Sequence, residues 1–291
     1  FLVDKVNFKT YLIEGANVNG ARMIRIDQSG LYDNFISNQN PSFQEAWDMA
    51  FNCTNGQIYA CGGGTNSNIN FGIVDPTSGN VASSNITGDP NAYQDIVNVV
   101  NDFNGNVFVV FAAGIAVTVD NHIFRLNNAL NSFVWSAQLP IYSLIEAANK
   151  PLSGFSSNGA NVLAVNNNYL FYCEGSYIQA YDKNSGAAVG SAFMLGKAAL
   201  DGTGIAVDNC NNIYIGGLGS ILVYNFNGAT FSSLGTIPLG GALATNRVYD
   251  IKYDFSGNLL YVCGDNFVGT YAATQSIPCN GLSVSTTGGC T

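Results

Sequence analysis

The chain has 291 residues, 47% of them hydrophobic and only 10% charged, with 10 Lys and Arg against 19 Asp and Glu and a net charge of −9. That length permits a large buried core, whereas the thin scatter of basic residues argues against a nucleic-acid or anionic-lipid surface. No apolar run is long enough to cross a membrane as a helix, and the start at Phe1 rather than Met reads as a processed chain or a fragment.

Taken in order, one element recurs: an apolar strand, a turn of Asn, Gly or Asp, and a strand that opens aliphatic–aromatic. Residues 8–13 look like a copy whose first strand is cut short. Fuller copies run from Met49-Ala50-Phe51 through a turn to Ile58-Tyr59-Ala60-Cys61-Gly62, and from Val99-Val100 through Asn104-Gly105-Asn106 to Val107-Phe108-Val109. The next pass from Val162-Leu163-Ala164-Val165 to Leu170-Phe171-Tyr172-Cys173, and from Ile205-Ala206-Val207 to Ile213-Tyr214-Ile215-Gly216. The last leads from Ile251-Lys252-Tyr253 through Ser256-Gly257-Asn258 to Leu260-Tyr261-Val262-Cys263-Gly264. A second element follows each copy, a strand ending in a polar turn, at 24–30, 73–79, 123–127, 178–186 and 222–228, with a degenerate form at 267–271.

Period-two alternation, β-branched and aromatic enrichment and closely spaced turns predict an all-β chain. Four short strands per unit of roughly 40–50 residues is the arithmetic of a propeller blade. The expected fold is a β-propeller of about six four-stranded blades, or seven if the incomplete ends hold another. It spans 1–275, with 276–291 as a linker or the start of a following β-sandwich repeat. The Asp-x-x-Ser-Gly runs are expected to be hairpin turns rather than calcium loops, because the ligand spacing of an EF-type loop is absent. Long insertions at 85–94 and 140–157 fall on a rim, where recognition usually sits.

The seven cysteines are 53, 61, 173, 210, 263, 279 and 290, an odd set without a C-x-x-C pair. Cys61, Cys173 and Cys263 occupy equivalent strand positions and are expected to be small core residues. Cys53 with Cys61, and Cys279 with Cys290, flank short segments and are candidate disulfides.

Candidate chemistry is sparse. His122 is the only histidine, too little for a transition-metal cluster, and a triad built on it is the poorer reading. Gly202-Thr203-Gly204 lacks the Lys and helix of a phosphate loop. First strands of blades surround a propeller's central channel. Asp48 and Asp250 hold matching positions in two of them, and Asp95 and Asp201 lie just upstream of two others. These four carboxylates are candidate ligands for Ca2+, although capping of backbone amides at blade junctions is the expected role. No other cofactor is expected. Trp47, Tyr93, Tyr142 and Tyr249 are candidate platforms for a glycan, whose rings offer apolar faces and hydroxyls, with core packing the expected role of Trp47 and of Trp135.

The Leu-Tyr-Val-Cys-Gly strand after its turn looks closest to the broad NHL/YVTN-like propeller class. The tail, Pro278-Cys279-Asn280-Gly281-Leu282-Ser283-Val284 through Gly288-Gly289-Cys290-Thr291, resembles the opening of SprB-type repeats in surface proteins of gliding Bacteroidota. That resemblance implies an N-terminal propeller of a larger protein, export by the type IX secretion system and a place on the cell surface. The expected function is therefore a secreted, adhesin-like binding domain without catalytic residues. Its partners would be an extracellular glycan or protein and the secretion machinery, with no nucleic acid and no insertion into a membrane. The alternative is a calcium-dependent lactonase or lyase using the channel aspartates.

Overall fold

The computed structural model describes residues 1–4, 8–14, 22–36, 45–63, 71–84, 86, 95–112, 122–139, 161–197 and 202–273. These form the six sheets of an all-β propeller, each an antiparallel meander. Strand alternation produces them: aliphatic and aromatic residues on both faces of the inner strands, and a half-exposed pattern on the outermost ones.

The chain divides into two compact units. In the first, blade 1 is β1 (Leu2–Asp4), β2 (Lys9–Glu14), β3 (Arg22–Ile26) and β4 (Tyr32–Ile36). Blade 2 is β5 (Glu45–Asn52), β6 (Gln57–Gly63), β7 (Phe71–Val74) and β8 (Val81–Ser84). Blade 3 is β9 (Asp95–Asn101), β10 (Val107–Ala112), β11 (His122–Leu126) and β12 (Phe133–Gln138). Blade 1 thus keeps a first strand, three residues long, with Leu2 opposite Tyr11. Tyr59, Cys61 and Phe71 of blade 2 pack with Ile96, Val109 and Phe111 of blade 3.

In the second unit, blade 4 is β13 (Leu163–Val165), β14 (Tyr169–Glu174), β15 (Tyr177–Asp182) and β16 (Ala188–Phe193). Blade 5 is β17 (Ile205–Val207), β18 (Asn212–Gly216), β19 (Ser220–Phe226) and β20 (Phe231–Pro238). Blade 6 has three strands among the described residues, β21 (Val248–Asp254), β22 (Leu259–Gly264) and β23 (Phe267–Ala272). Phe171 of blade 4 and Phe226 of blade 5 meet edge to face at 5.8 Å. Each is essentially fully buried, and burial of such a ring is worth roughly 2–3 kcal/mol.

One polar residue recurs at every first hairpin. The residue that ends the first strand (Asp4, Asn52, Asp254) or directly follows it (Asp102, Asn166, Asp208) is an Asx, and all six are buried. Asp102 and Asp208 show the geometry: Oδ1 accepts the amides of Asn104 and Asn106 in one, and of Cys210 and Asn212 in the other. Oδ2 takes the side-chain amide of Asn106 or Asn212 at 2.8 and 2.7 Å. The Asx oxygen thus replaces backbone acceptors that a tight turn removes. The outer hairpins repeat the idea with Asp27, Asp75 and Asp182, each carboxylate accepting two amides of its own turn. As hairpin chemistry requires, these oxygens are spent on the turn.

The proposed Cys53–Cys61 bridge does not form. The register sets Asp48 opposite Cys61 and Asn52 opposite Gln57, so Cys61 lies well up the strand from the turn that holds Cys53. Cys61 is a free, fully buried thiol, as Cys173 is nearly so, and Cys263 is free and half-buried. Cys53 and Cys210 are both disulfide-bonded. Cys279 and Cys290 lie outside the described residues.

Candidate functional site

Counting back from the hairpin Asx, the residue four places earlier is Asp48 in blade 2, Asn98 in blade 3 and Asp250 in blade 6. The same three blades share a feature that sequence reading missed. Their first and second strands slip register there: between Ala46 and Asp48, opposite Val110 and Phe111, and between Val248 and Asp250. The extra residues are Trp47, Val97 and Tyr249. A bulge of this kind re-aims the next side chain, so each polar residue gains its place from the bulge before it.

In the first unit, Asp48 is 7% exposed and its Oδ2 accepts the amide of Val99 in the next blade at 3.0 Å. This is the junction-capping role, with the carboxylate bridging two blades through a backbone group. Trp47 is buried. Trp135 packs its ring 6.0 Å from Phe108, and His122 lies half-buried near Phe124, 5.8 Å between ring centres. Asp95 opens β9, its backbone opposite Ala112. Tyr93 and Tyr142 lie outside the described residues.

In the second unit the chemistry gathers between blades 4, 5 and 6. Asp201 lies outside the described residues, but Gly202 bridges Val248, and the Thr203 amide donates to Val248 O at 2.7 Å. Gly204 has φ +89°, and a Cβ there would stand 2.9 Å from Asp250 Cα; only glycine lets the two backbones approach so closely. Lys197, buried, donates from Nζ to Gly175 O and Gly202 O, each at 2.7 Å. One ammonium thus ties the second-to-third turn of blade 4 to the strand leading into blade 5.

Against this strand stands Asp250, 5% exposed, with Lys252 Nζ 3.2 Å from its Oδ1. Burial works to raise the Asp250 pKa, but neighbouring positive charge, Lys252 first and then the N-terminal ammonium, works the other way, and the carboxyl is held below its usual range. Beside it, half-buried Tyr249 donates its hydroxyl to Asp265 Oδ1 at 2.6 Å, while Asp265 Oδ2 accepts the Arg247 amide. Burial, then the bond to Asp265, raises the Tyr249 pKa. The innermost strand of blade 6 thus carries half-buried Tyr249, a buried, engaged carboxylate and a partly exposed ammonium. Lys252 was legible in the repeat: the same position holds Leu2, Ala50, Val100, Ala164 and Ala206 in the other blades.

A second polar cluster lies on blade 4. Glu174, at the end of β14, accepts the Tyr172 hydroxyl on Oε2 at 2.5 Å, and burial pushes its pKa up to about 8. Nothing in its sequence context marks it out.

The calcium reading meets two obstacles in these contacts: Asp48 is engaged by Val99 and Asp250 by Lys252. Among the described residues no three His, Cys, Asp or Glu side chains are grouped to hold a metal.

No protein-family model and no curated protein match the sequence. Solved structures do match. One of them is XC5397 of Xanthomonas campestris, described as a gluconolactonase, with a TM-score of 0.56 at 14% identity over 89% of this chain and 81% of that one. At that identity the likeness is one of fold: this chain is similar in architecture to a lactonase propeller.

Proposed function

We propose that this chain is an extracellular binding propeller that takes a sugar-like ligand at the innermost strand of blade 6. The observation that carries the proposal is the bulge that sets half-buried Tyr249 beside the Asp250–Lys252 pair. An aromatic edge with a fixed hydroxyl, next to hydrogen-bonding charges, is the combination that polyhydroxylated rings bind. The disulfide-bonded Cys53 and Cys210 support an oxidising, extracellular setting. Export by the type IX system and an adhesin-like role on a cell surface, with the propeller as one module of a longer protein, fit the same reading.

The test is a glycan array followed by calorimetry on the purified chain. A saturable glycan whose affinity falls at least tenfold in Tyr249→Ala, with the fold intact, is the expected result. An array without hits, or hits unmoved by that substitution, would overturn it.

The architecture it shares with a gluconolactonase keeps lactone hydrolysis as a second reading. Turnover of a sugar lactone by the purified chain, abolished by a chelator and restored by Ca2+, would favour that reading over the first.

A further inference from the structure

The turn between first and second strands asks for a buried Asx and leaves the next two places open. In blades 3, 4 and 6 those places hold Phe103 and Asn104, Asn167 and Asn168, and Phe255 and Ser256. Side chains so different in size and polarity serve the same turn, so nothing in the turn calls for cysteine. Blade 2 nevertheless has Cys53 there and blade 5 has Cys210, and both are disulfide-bonded. Each sits on backbone that is held in place. Asn52 Oδ1 accepts the Thr54 amide at 2.8 Å, and Asp208 Oδ1 accepts the amides of Cys210 and Asn212, each at 2.8 Å.

Their partners follow from the rest of the set. The chain has seven cysteines. Cys61, Cys173 and Cys263 are free thiols, which leaves Cys279, Cys290 and the two bonded residues themselves. The way the chain leaves blade 6 points to Cys279 as the partner of Cys210. Ala272 at the end of β23 pairs with Leu259 at the start of β22, and the Ala273 amide donates to Asn258 O at 3.0 Å. The exit therefore lies beside the first hairpin of blade 6. The first hairpin of blade 5 is next to it: Tyr253 stacks on Tyr214 with ring centres 5.6 Å apart, and burial, then the nearby Asp208 charge, raises the Tyr253 pKa to about 12. Cys279 follows Ala273 by six residues, a reach of roughly 20 Å. Cys290 falls in the same compact unit as Cys53, made of 1–159 with 288–290, whereas Cys279 falls with Cys210 in the unit that spans 160–287. One pairing keeps each bridge within a single unit.

We infer that the chain carries the bridges Cys210–Cys279 and Cys53–Cys290, so that its C-terminal segment is a covalent strap with one anchor in each compact unit. The inference is independent of the sugar-binding reading. Each bridge forms by exchange. One thiolate attacks the disulfide of a thiol–disulfide oxidant, the second displaces the oxidant's remaining sulfur from the mixed disulfide, and the oxidant leaves as a dithiol with the two electrons and two protons. The strap gives the two units a second covalent connection besides the main chain between residues 159 and 160. In blade 6 the chain exits by the Asp254 end of β21, whereas Tyr249 and Asp250 stand near its start. Opening the strap should therefore loosen the fold rather than rearrange the innermost strand of that blade.

The test is peptide mapping of the purified, oxidised chain. Free thiols are blocked with N-ethylmaleimide in denaturant, the chain is digested with pepsin without reduction, and linked peptides are read by mass spectrometry. The expected result is two linked pairs, Cys210 with Cys279 and Cys53 with Cys290, and the blocking label on Cys61, Cys173 and Cys263. A Cys53–Cys210 or Cys279–Cys290 peptide overturns the strap, and the crossed pairs overturn the assignment. Thermal unfolding supplies a second readout. The variant that combines Cys53→Ser, Cys210→Ser, Cys279→Ser and Cys290→Ser should melt at least ~5 °C below the parent in oxidising buffer, and a phosphine reductant should bring the parent down to it. A variant that melts with the oxidised parent overturns the strap as a stabilising link.

Discussion

Stability should depend on pH through one residue, Glu174. The residue is 6% exposed, and burial raises its pKa from 4.5 to about 8, with the Tyr172 hydroxyl bond opposing the rise. In the unfolded chain the carboxyl ionises near 4.5; in the native chain it stays protonated to about 8. Between those values the unfolded state binds fewer protons than the native state, so stability falls as pH rises. The contribution is fully present below pH 4.5 and is lost progressively up to about pH 8. A shift of this size corresponds to about 5 kcal/mol as an upper figure, and relaxation of the site would bring it to ~2–4 kcal/mol. Glu174→Gln removes the titration while leaving an acceptor for Tyr172. Urea unfolding of both proteins, followed by tryptophan fluorescence from pH 4.5 to 8.5, isolates this group, because all other titrations cancel in the difference. The curves should converge at the acid end. The Gln variant should be the more stable by ~2–4 kcal/mol at pH 8. Parallel profiles would mean that native Glu174 is ionised like an exposed carboxyl, and the burial account of it would be wrong.

Three further outcomes are expected. Asp48→Ala removes the acceptor of the Val99 amide at the junction of blades 2 and 3 and should cost ~1–3 kcal/mol in denaturant unfolding; Asp48→Asn, which keeps an oxygen, should cost clearly less, and equal losses would mean that the carboxylate does not cap that amide. Gly204→Ala places a Cβ 2.9 Å from Asp250 Cα at φ +89° and should cost at least ~2 kcal/mol, with hydrogen exchange rising first in β17 and β21; a variant as stable as the parent would contradict the close approach. Burial raises the Cys173 thiol to about 11 and the Cys61 thiol well above its usual 9.0, so neither should react with a thiol reagent at pH 8 until the chain unfolds. Rapid native labelling at either would show that it does not pack in the core.

The blades were legible because two of their causes are written locally. Turn chemistry needs Asx and Gly at fixed places, and alternation needs aliphatic and aromatic residues at every second place. Both recur in copy after copy. The bulges before Asp48, Asn98 and Asp250 were not legible, since one extra residue in a strand leaves the composition unchanged and alters only the register. Glu174 was hidden for another reason: a carboxylate at the end of a strand reads as solvated, and only packing reveals its burial. Asp48 was found as a polar residue on a first strand, but its partner, Val99, is a backbone amide about fifty residues away, which no residue type announces.

The repeat itself separates what folds the chain from what it is for. The hairpin Asx is present in all six blades and buried in all six, and wherever its bonds are described its Oδ1 is taken by amides of its own turn. Mutating it should therefore damage stability without touching recognition. The place four residues earlier varies among Asp48, Asn98, Val162, Gly204 and Asp250, and the place two residues earlier is aliphatic except at Lys252. A fold built from equivalent blades leaves such positions free wherever a small apolar residue suffices. At Asp48 that freedom is used for a blade junction, since its oxygen reaches a neighbouring backbone amide. At Asp250 the charge instead meets a second charge of its own strand, and that second charge stands partly in solvent. A charge thus stands at Lys252 where every equivalent residue is aliphatic, and the inner strand of blade 6 departs there from what the repeat alone requires.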